Sequence, residues 1–469
     1  MSKSRGKYQN DKDWIDAVWH VRMERLSIAN LLGDRPLERS ELEFLEAWSK
    51  HAETGDKELQ LRESRLRYLL DTGDISVAEV EADRLVNSAK DAGNRSFLRR
   101  ACGWRAVVYR EQSRYPKAIS DFETAENCAE NELQRMEIWL DKGMTLVYAN
   151  QYPAAERMLL GAIEIARKYN DINSQGTAWN NLGICYGQQR KSLPAIEAYD
   201  RAIAFYQQTG YKLGSAMASG NLSEIYLSRG QLDKALELSR QCRKLGEEAE
   251  DVISIALGQD IEGRVLTELE DYREAAGRFR DSFRIFSEVN DLVAQMMCGT
   301  HLVICLANSG QLGEAGQLLK QLETLASLAG REGPDPNLMA AQAVVLNAGI
   351  GGIQFLEKAR ASLEAGEKDA STLILMQAEM HARQGEPAKA RKMLEHLLAI
   401  PREKLTNLFR VRMHSLGWKL YSDMGLPFEA GEQKEQGQAL LREMEGSYTD
   451  RGLWERYCRK KEVRALLDQ

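Results

Sequence analysis

The residues that most often do chemistry are present in this chain, but not in working arrangements. Six histidines (His20, His51, His301, His381, His396 and His414) show no spacing that would gather metal ligands. No Gly-x-x-x-x-Gly-Lys-Ser/Thr, His-Glu-x-x-His or Gly-x-Ser-x-Gly occurs, so phosphate-loop, zinc-protease and serine-hydrolase chemistry have no carrier. Gly349, Gly351 and Gly352 cluster with no strand before them, which argues against a phosphate cradle. Carboxylates are plentiful, yet at i, i+3 or i+4 they mostly meet lysine or arginine on exposed helix faces. An enzyme, a cofactor and a bound metal are therefore not expected. What the residue types do offer is recognition. Asn181 and Asn221 stand 40 residues apart at one point of a repeating pattern. An asparagine amide both donates and accepts, so it can pair with the backbone of an extended peptide.

The pattern that positions them is clearest from Thr177 to Ala202. Trp179, Leu182, Gly183, Tyr186, Ala195, Tyr199 and Ala202 follow the spacing of two helices joined by a turn, with large residues holding one against the other. Small residues sit where the backbones approach. One of them recurs at Ala78, Ala118, Ala155, Ala195, Ala235, Ala275 and Ala315, at intervals of 40, 37, 40, 40, 40 and 40. Nine positions before three of these alanines stands a tyrosine (Tyr109, Tyr186, Tyr226) that fills the space under the turn. Gly143, Gly183 and Gly263 recur at the close-contact point of the first helix.

This arrangement resembles the tetratricopeptide repeat, in a long form of about 40 residues similar to the arrays of kinesin light chains, spindle-orientation adaptors and bacterial regulatory proteins. The resemblance covers most of the chain. It implies an all-α fold, a right-handed superhelical solenoid of about ten antiparallel helix pairs closed by a C-terminal capping helix. It also implies that the first helix of each pair lines a concave groove. On that geometry Asn180, Asn181, Gln188, Asn221, Glu224, Asp260, Arg264, Thr300 and His301 face the groove centrally, and Arg100, Trp104, Arg110, Glu137 and Asp141 take similar places upstream. Asp141, Glu224 and Asp260 interrupt the basic residues, so a clamp for a C-terminal carboxylate is not favoured.

The organisation expected along the chain is a capping helix pair over 1–54, a regular array over 55–329, a degenerate repeat over 330–369 after a Gly/Pro break, further repeats over 370–446 and a capping helix over 447–469. Trp14, Trp19 and Trp48 in the first pair serve burial or docking, and large aromatics favour burial. The break at GREGPDPN, from Gly330 to Asn337, is a candidate hinge between two repeat blocks. Two basic clusters, Arg95–Arg110 and Arg456–Arg464, read as solvated helix faces because acidic residues dilute both.

Composition bounds the function. Of 469 residues 43% are hydrophobic, enough for a continuous core, and nine prolines suit a helical chain. A net charge of -7 argues against a dedicated nucleic-acid binder. Seven scattered cysteines with no Cys-x-x-Cys argue against a disulfide framework and for a reducing cytoplasm. The opening MSKSRGKYQNDKD is polar and reads as no secretory signal, and no run of about 18 apolar residues predicts a membrane span. The function expected is a non-catalytic adaptor or regulatory scaffold that holds a segment of another protein in its groove. The alternative is a sensing or inhibitory subunit that controls a partner enzyme.

Overall fold

A computed structural model describes residues 12–31, 35–49, 55–328, 336–345, 350–365 and 370–468. Among these there are 24 α-helices and no strand. In chain order they form eleven successive pairs followed by two short helices, where about ten pairs and one capping helix were expected. The Gly/Pro break up to residue 335, the glycine at 349 and His51 lie outside the described residues, as do the side chains of Trp14 and Ile15. The helices group into two compact units, Met1–Cys185 and Tyr186–Gln469.

The first unit holds α1 (Lys12–Leu31), α2 (Arg35–Ser49), α3 (Gly55–Asp71), α4 (Ile75–Asp91), α5 (Arg95–Glu111), α6 (Tyr115–Asn127), α7 (Glu132–Tyr148), α8 (Tyr152–Lys168) and most of α9 (Ile172–Gln188). Trp19 packs with Leu26, Leu42, Leu45 and Leu61, so the first pair uses this tryptophan for burial. Ala78, Ala118 and Ala155 are wholly buried, as close helix–helix approach requires. Buried carboxylates are paired: Glu41 with Arg22 and Arg25, Glu81 with Arg62. Helix starts are capped by short polar side chains, Asn94 accepting from the Phe97 N–H and Asn131 from the Gln134 N–H. Asn94 thus has a local structural use.

The second unit runs through α10 (Ser192–Thr209), α11 (Lys212–Ser228), α12 (Leu232–Ala249), α13 (Val252–Glu268), α14 (Tyr272–Glu288), α15 (Leu292–Asn308) and α16 (Leu312–Leu328). It continues with α17 (Pro336–Val345), α18 (Ile350–Ala365), α19 (Ser371–Arg383), α20 (Pro387–Leu398), α21 (Asn407–Asp423) and α22 (Pro427–Glu445), and ends in α23 (Arg451–Cys458) and α24 (Lys461–Leu467). Ala195, Ala235, Ala275, Ala315 and Ala390 are again fully buried. Each described turn inside a pair has one residue with positive φ. Gly230 and Gly310 supply it without strain, whereas Arg190 (φ 58°) and Glu270 (φ 59°) supply it with a Cβ in the way.

The last helices do not simply extend the stack. Leu408, Val411, Leu440, Leu441, Met444, Tyr448, Trp454 and Tyr457 form one core with Leu227, Leu232, Ile261, Val265 and Leu269 of α11–α13 and its following turn. The Tyr448 hydroxyl donates to the Gly230 carbonyl at 2.7 Å and accepts from the Leu232 N–H at 3.3 Å. Asp233 accepts from the Thr449 N–H (2.6 Å), the Thr449 hydroxyl (2.8 Å) and the Asp450 N–H (3.2 Å). Arg456 pairs with Asp271 at 2.5 Å, and Lys460 reaches Glu268 at 3.1 Å. The single capping helix expected over 447–469 is therefore two helices, bent at Arg459-Lys460, and Lys460 is buried where a solvated face was expected. The ion pairs explain the difference, because an amphipathic pattern read locally cannot show an acidic partner some 190 residues away.

Two tests follow from this packing. Glu270→Gly relieves the positive φ, and it removes a carboxyl whose pKa is raised, first by partial burial and then by the Glu462 carboxylate. It is expected to stabilise the protein by about 0.5–1 kcal/mol in urea unfolding, after the entropy that glycine adds to the unfolded chain. Burial acts upward on the Asp233 carboxyl, but the hydrogen bonds from Thr449, Lys234 and Asp450 outweigh it and hold the pKa below the ordinary value. Its stabilisation is therefore present above the unfolded pKa of about 3.9 and is lost as pH falls through the lower folded value. Asp233→Asn is expected to cost about 1–3 kcal/mol at pH 7, with the gap to wild type closing towards pH 3.

Candidate functional site

The first helices of neighbouring pairs are joined side to side by polar contacts, and most of the groove residues read from sequence take part. In the first unit Trp104 donates its indole N–H to Glu63 at 3.0 Å, and Arg100 pairs with the same carboxylate at 2.9 Å. Arg110 pairs with Glu111 at 3.3 Å and lies 3.9 Å from Asp141. Arg105 grips Asp121 through two nitrogens, at 2.7 and 2.8 Å, and reaches Asp83 at 2.9 Å. Of the upstream basic cluster Arg99, Arg100, Arg105 and Arg110 are taken up by ion pairs, and Arg95 donates to the Asn127 carbonyl. Asn180 and Asn181 are both at least nine-tenths buried, and the Asn180 amide donates to Asn181 Oδ1 at 3.5 Å.

In the second unit four of the predicted residues come together. Arg264 pairs with Glu224 on the preceding first helix at 2.5 Å and lies 3.9 Å from Asp260, one turn away. His301, on the following first helix, places Nδ1 3.4 Å from Asp260 Oδ1 and its ring against Phe279. Asp260 is 2% exposed, and its Oδ2 has no hydrogen-bond partner. Burial opposes the charge on Arg264, but Glu224 and then Asp260 outweigh it, so the guanidinium pKa is raised. Asn221 is partly exposed and Gln188 is exposed; neither joins this cluster.

Beside the cluster lies a cavity of about 320 Å³. Arg264, His301, Phe279 and Ile304 form one wall, and Thr372, Thr406, Phe409 and Arg412 form the other. Thr406 caps α21 by accepting from the Phe409 N–H at 3.2 Å. Arg412 is fixed by Glu379 at 2.9 Å, and its pKa is raised chiefly by that carboxylate. The second wall was invisible to sequence reading. Its residues stand more than 100 positions from Arg264 and carry no repeat signature of their own. Only the pairing of Glu379 with Arg412, 33 residues apart on successive first helices, echoes the 40-residue link from Glu224 to Arg264.

Among the described residues no group of three His, Cys, Asp or Glu side chains could hold a metal ion, and no described helix is long and apolar enough to cross a membrane. Residues 134–208 match the tetratricopeptide-repeat family model. The chain carries tetratricopeptide repeats. No curated protein matches the sequence. Among solved structures, a Rap protein complexed with competence and sporulation factor aligns at TM-score 0.56 and 16% identity, over 73% of this chain and 97% of that one. The apo form of RapI aligns at TM-score 0.54 and 12% identity, over 72% and 96%. The apo form of the quorum sensor NprR from B. thuringiensis aligns at 0.53 and 12%, over 73% and 98%. At these identities the likeness is one of fold, an all-helical repeat array.

The buried Asp260 carboxylate and its partly exposed neighbours make a stability ranking testable. Arg264→Met leaves Asp260 and Glu224 without their shared cation and is expected to cost about 3 kcal/mol. Asp260→Asn keeps the shape and removes the buried charge, at a cost of about 1 kcal/mol. Urea midpoints at pH 7 check the order; the reverse order would show that Arg264 is not what compensates the Asp260 charge.

Proposed function

We propose that the chain is a non-catalytic protein-binding scaffold that holds a short segment of a partner protein, and that the unit from Tyr186 onward receives it in the cavity between α13, α15 and α21. The observation that carries this reading is the composition of the cavity. Phe279, Ile304, Leu408 and Phe409 give it apolar lining, while Arg264, Glu268, His301 and Arg412 offer both signs of charge. Pockets of this size with apolar lining and a few convergent polar groups suit one or two side chains of a peptide. The repeat fold, shared with a Rap protein complexed with competence and sporulation factor and with the quorum sensor NprR, supports a protein-binding role. Asn221, partly exposed on α11 of the same unit, is proposed as a further backbone contact. Free cysteines, six of the seven buried, suit work in a reducing cytoplasm.

A sensing role has one specific observation in its favour. The two cavity walls come from α13–α15 and from α19–α21, segments that meet only because the C-terminal helices pack back onto α11–α13. A segment that touches both walls would tighten that closure and so change what the rest of the surface offers a partner enzyme.

The test is affinity purification of the full chain from its own cell extract beside two variants. Ile304→Trp fills the cavity, and Val293→Asp alters an exposed edge position that is 62% accessible. Partner recovery is expected to fall about tenfold or more with Ile304→Trp, for a loss near 1.4 kcal/mol or above, and to hold with Val293→Asp. Equal recovery by wild type and Ile304→Trp would remove the cavity from the function.

A further inference from the structure

A second cavity, about 280 Å³ and separate from the first, lies where α20, the short 3-10 turn Arg402–Lys404, α21 and α22 meet. Arg402, Arg410, His414 and Gln436 line it, together with an apolar side made by Leu398, Ile400, Leu405 and Met413. Arg264 and Arg412, at the other cavity, are each held by a carboxylate, Glu224 and Glu379. The two arginines of this cavity are not. No described carboxylate pairs with Arg402 or Arg410, and the hydrogen bond recorded for Arg410 goes to the neutral Asn407 amide oxygen at 3.3 Å.

The surrounding groups report the same excess of positive potential. Arg410 is half-buried and its pKa is lowered, first by desolvation and then by Arg402, against the weaker pull of Glu443 and Glu403. His414 is 3% exposed and its pKa is also lowered, first by burial and then, against the Gln433 hydrogen bond, by Arg410 and Arg402. Its Nδ1 faces Gln433 Oε1 at 2.9 Å, so in the neutral ring Nδ1 carries the proton and Nε2 is the basic nitrogen. Two guanidiniums in no ion pair, beside a histidine that gains a donor on protonation, give this cavity an excess of hydrogen-bond donors.

We propose that this cavity is a binding site for a phosphate group, with Arg402 and Arg410 as its cationic donors and His414 as a third donor once protonated. A carboxylate offers two oxygens and is used up by a single guanidinium fork, whereas phosphate has enough oxygens for both arginines and the imidazole. The apolar side gives room for the carbon body of a phosphate ester. The site shares no lining residue with the other cavity, so it stands independently of the function proposed above.

Calorimetric titration of the full chain with inorganic phosphate, phenyl phosphate and acetate tests this. Phosphate is expected to bind, and acetate at least about tenfold more weakly, since charge-assisted contacts to two guanidiniums are lost. Phenyl phosphate tighter than inorganic phosphate would identify an ester as the natural form, and the reverse order would identify the free ion; either keeps the site. Arg410→Gln should weaken phosphate about tenfold or more, and Arg402→Gln, at an exposed position with little bearing on folding, should do the same. In proton NMR the His414 ring should titrate at higher pH with phosphate present than without. Absence of phosphate binding, acetate binding as tightly, an unchanged affinity in Arg402→Gln, or an unmoved His414 titration would each overturn the assignment.

Discussion

Between the two helices of each repeat the structure leaves space for a methyl group, and this constraint governs the rest. The alanines at 78, 118, 155, 195, 235, 275, 315 and 390 are all completely buried. Opposite faces are fitted just as tightly: a Cβ on Gly263 would fall 2.8 Å from the Phe279 ring, and one on Gly299 would fall 2.6 Å from Leu322. Helices held this close fix the spacing of their neighbours, because each pair must bury its outer side against the next. Once spacing is fixed, so is the distance between equivalent positions on successive first helices. Glu224 reaches Arg264 and Asp260 reaches His301 across that one repeated gap.

The second unit adds a constraint of another kind. Its core joins residues 227–269 to residues 408–466, so packing there is not a sum of nearest-neighbour contacts. Gly230 shows how close the fit is: a Cβ there would come within 2.5 Å of the Met444 methyl. Buried polar groups complete the seam, with Tyr448 and Asp233 satisfying backbone donors and acceptors that the contact removes from water. Leu408, in this seam, also lines the larger cavity, so the seam helps to hold that cavity's second wall against its first.

What could be read from sequence follows from the same distinction. The alanine interval, the turns and the small-residue contacts are local, so they leave a period in the chain that survives substitution elsewhere. The all-α repeat fold was legible for that reason, and so was the grouping of Glu224, Asp260, Arg264 and His301, which occupy related points of successive repeats. The return of α21–α24 left no such trace, because Tyr448 and Gly230 are 218 residues apart and neither looks unusual in its own helix. Lys460 illustrates the cost: a lysine in a charged helix reads as solvated until Glu268 is placed beside it. Arg412, Phe409 and Thr406 escaped for the same reason. Asn180 and Asn181 sit at the anticipated repeat position, yet their degree of burial depends on neighbouring side chains that a spacing rule does not weigh.

These two kinds of contact imply different cooperativity. Where only adjacent pairs touch, a repeat can loosen with the loss of its own interfaces and little else, so stability is graded along the stack. In the second unit, loosening α21 exposes Leu408 and Val411 and also uncovers Leu227 and Ile261, far away in sequence. Opening there therefore loses contacts on both parts of the seam at once. Packing that couples distant segments in this way is what lets a local binding event be felt beyond its own surroundings. The larger cavity sits beside this seam and shares Leu227 and Leu408 with it, so whatever fills the cavity touches the same packing that joins residues 227–269 to 408–466.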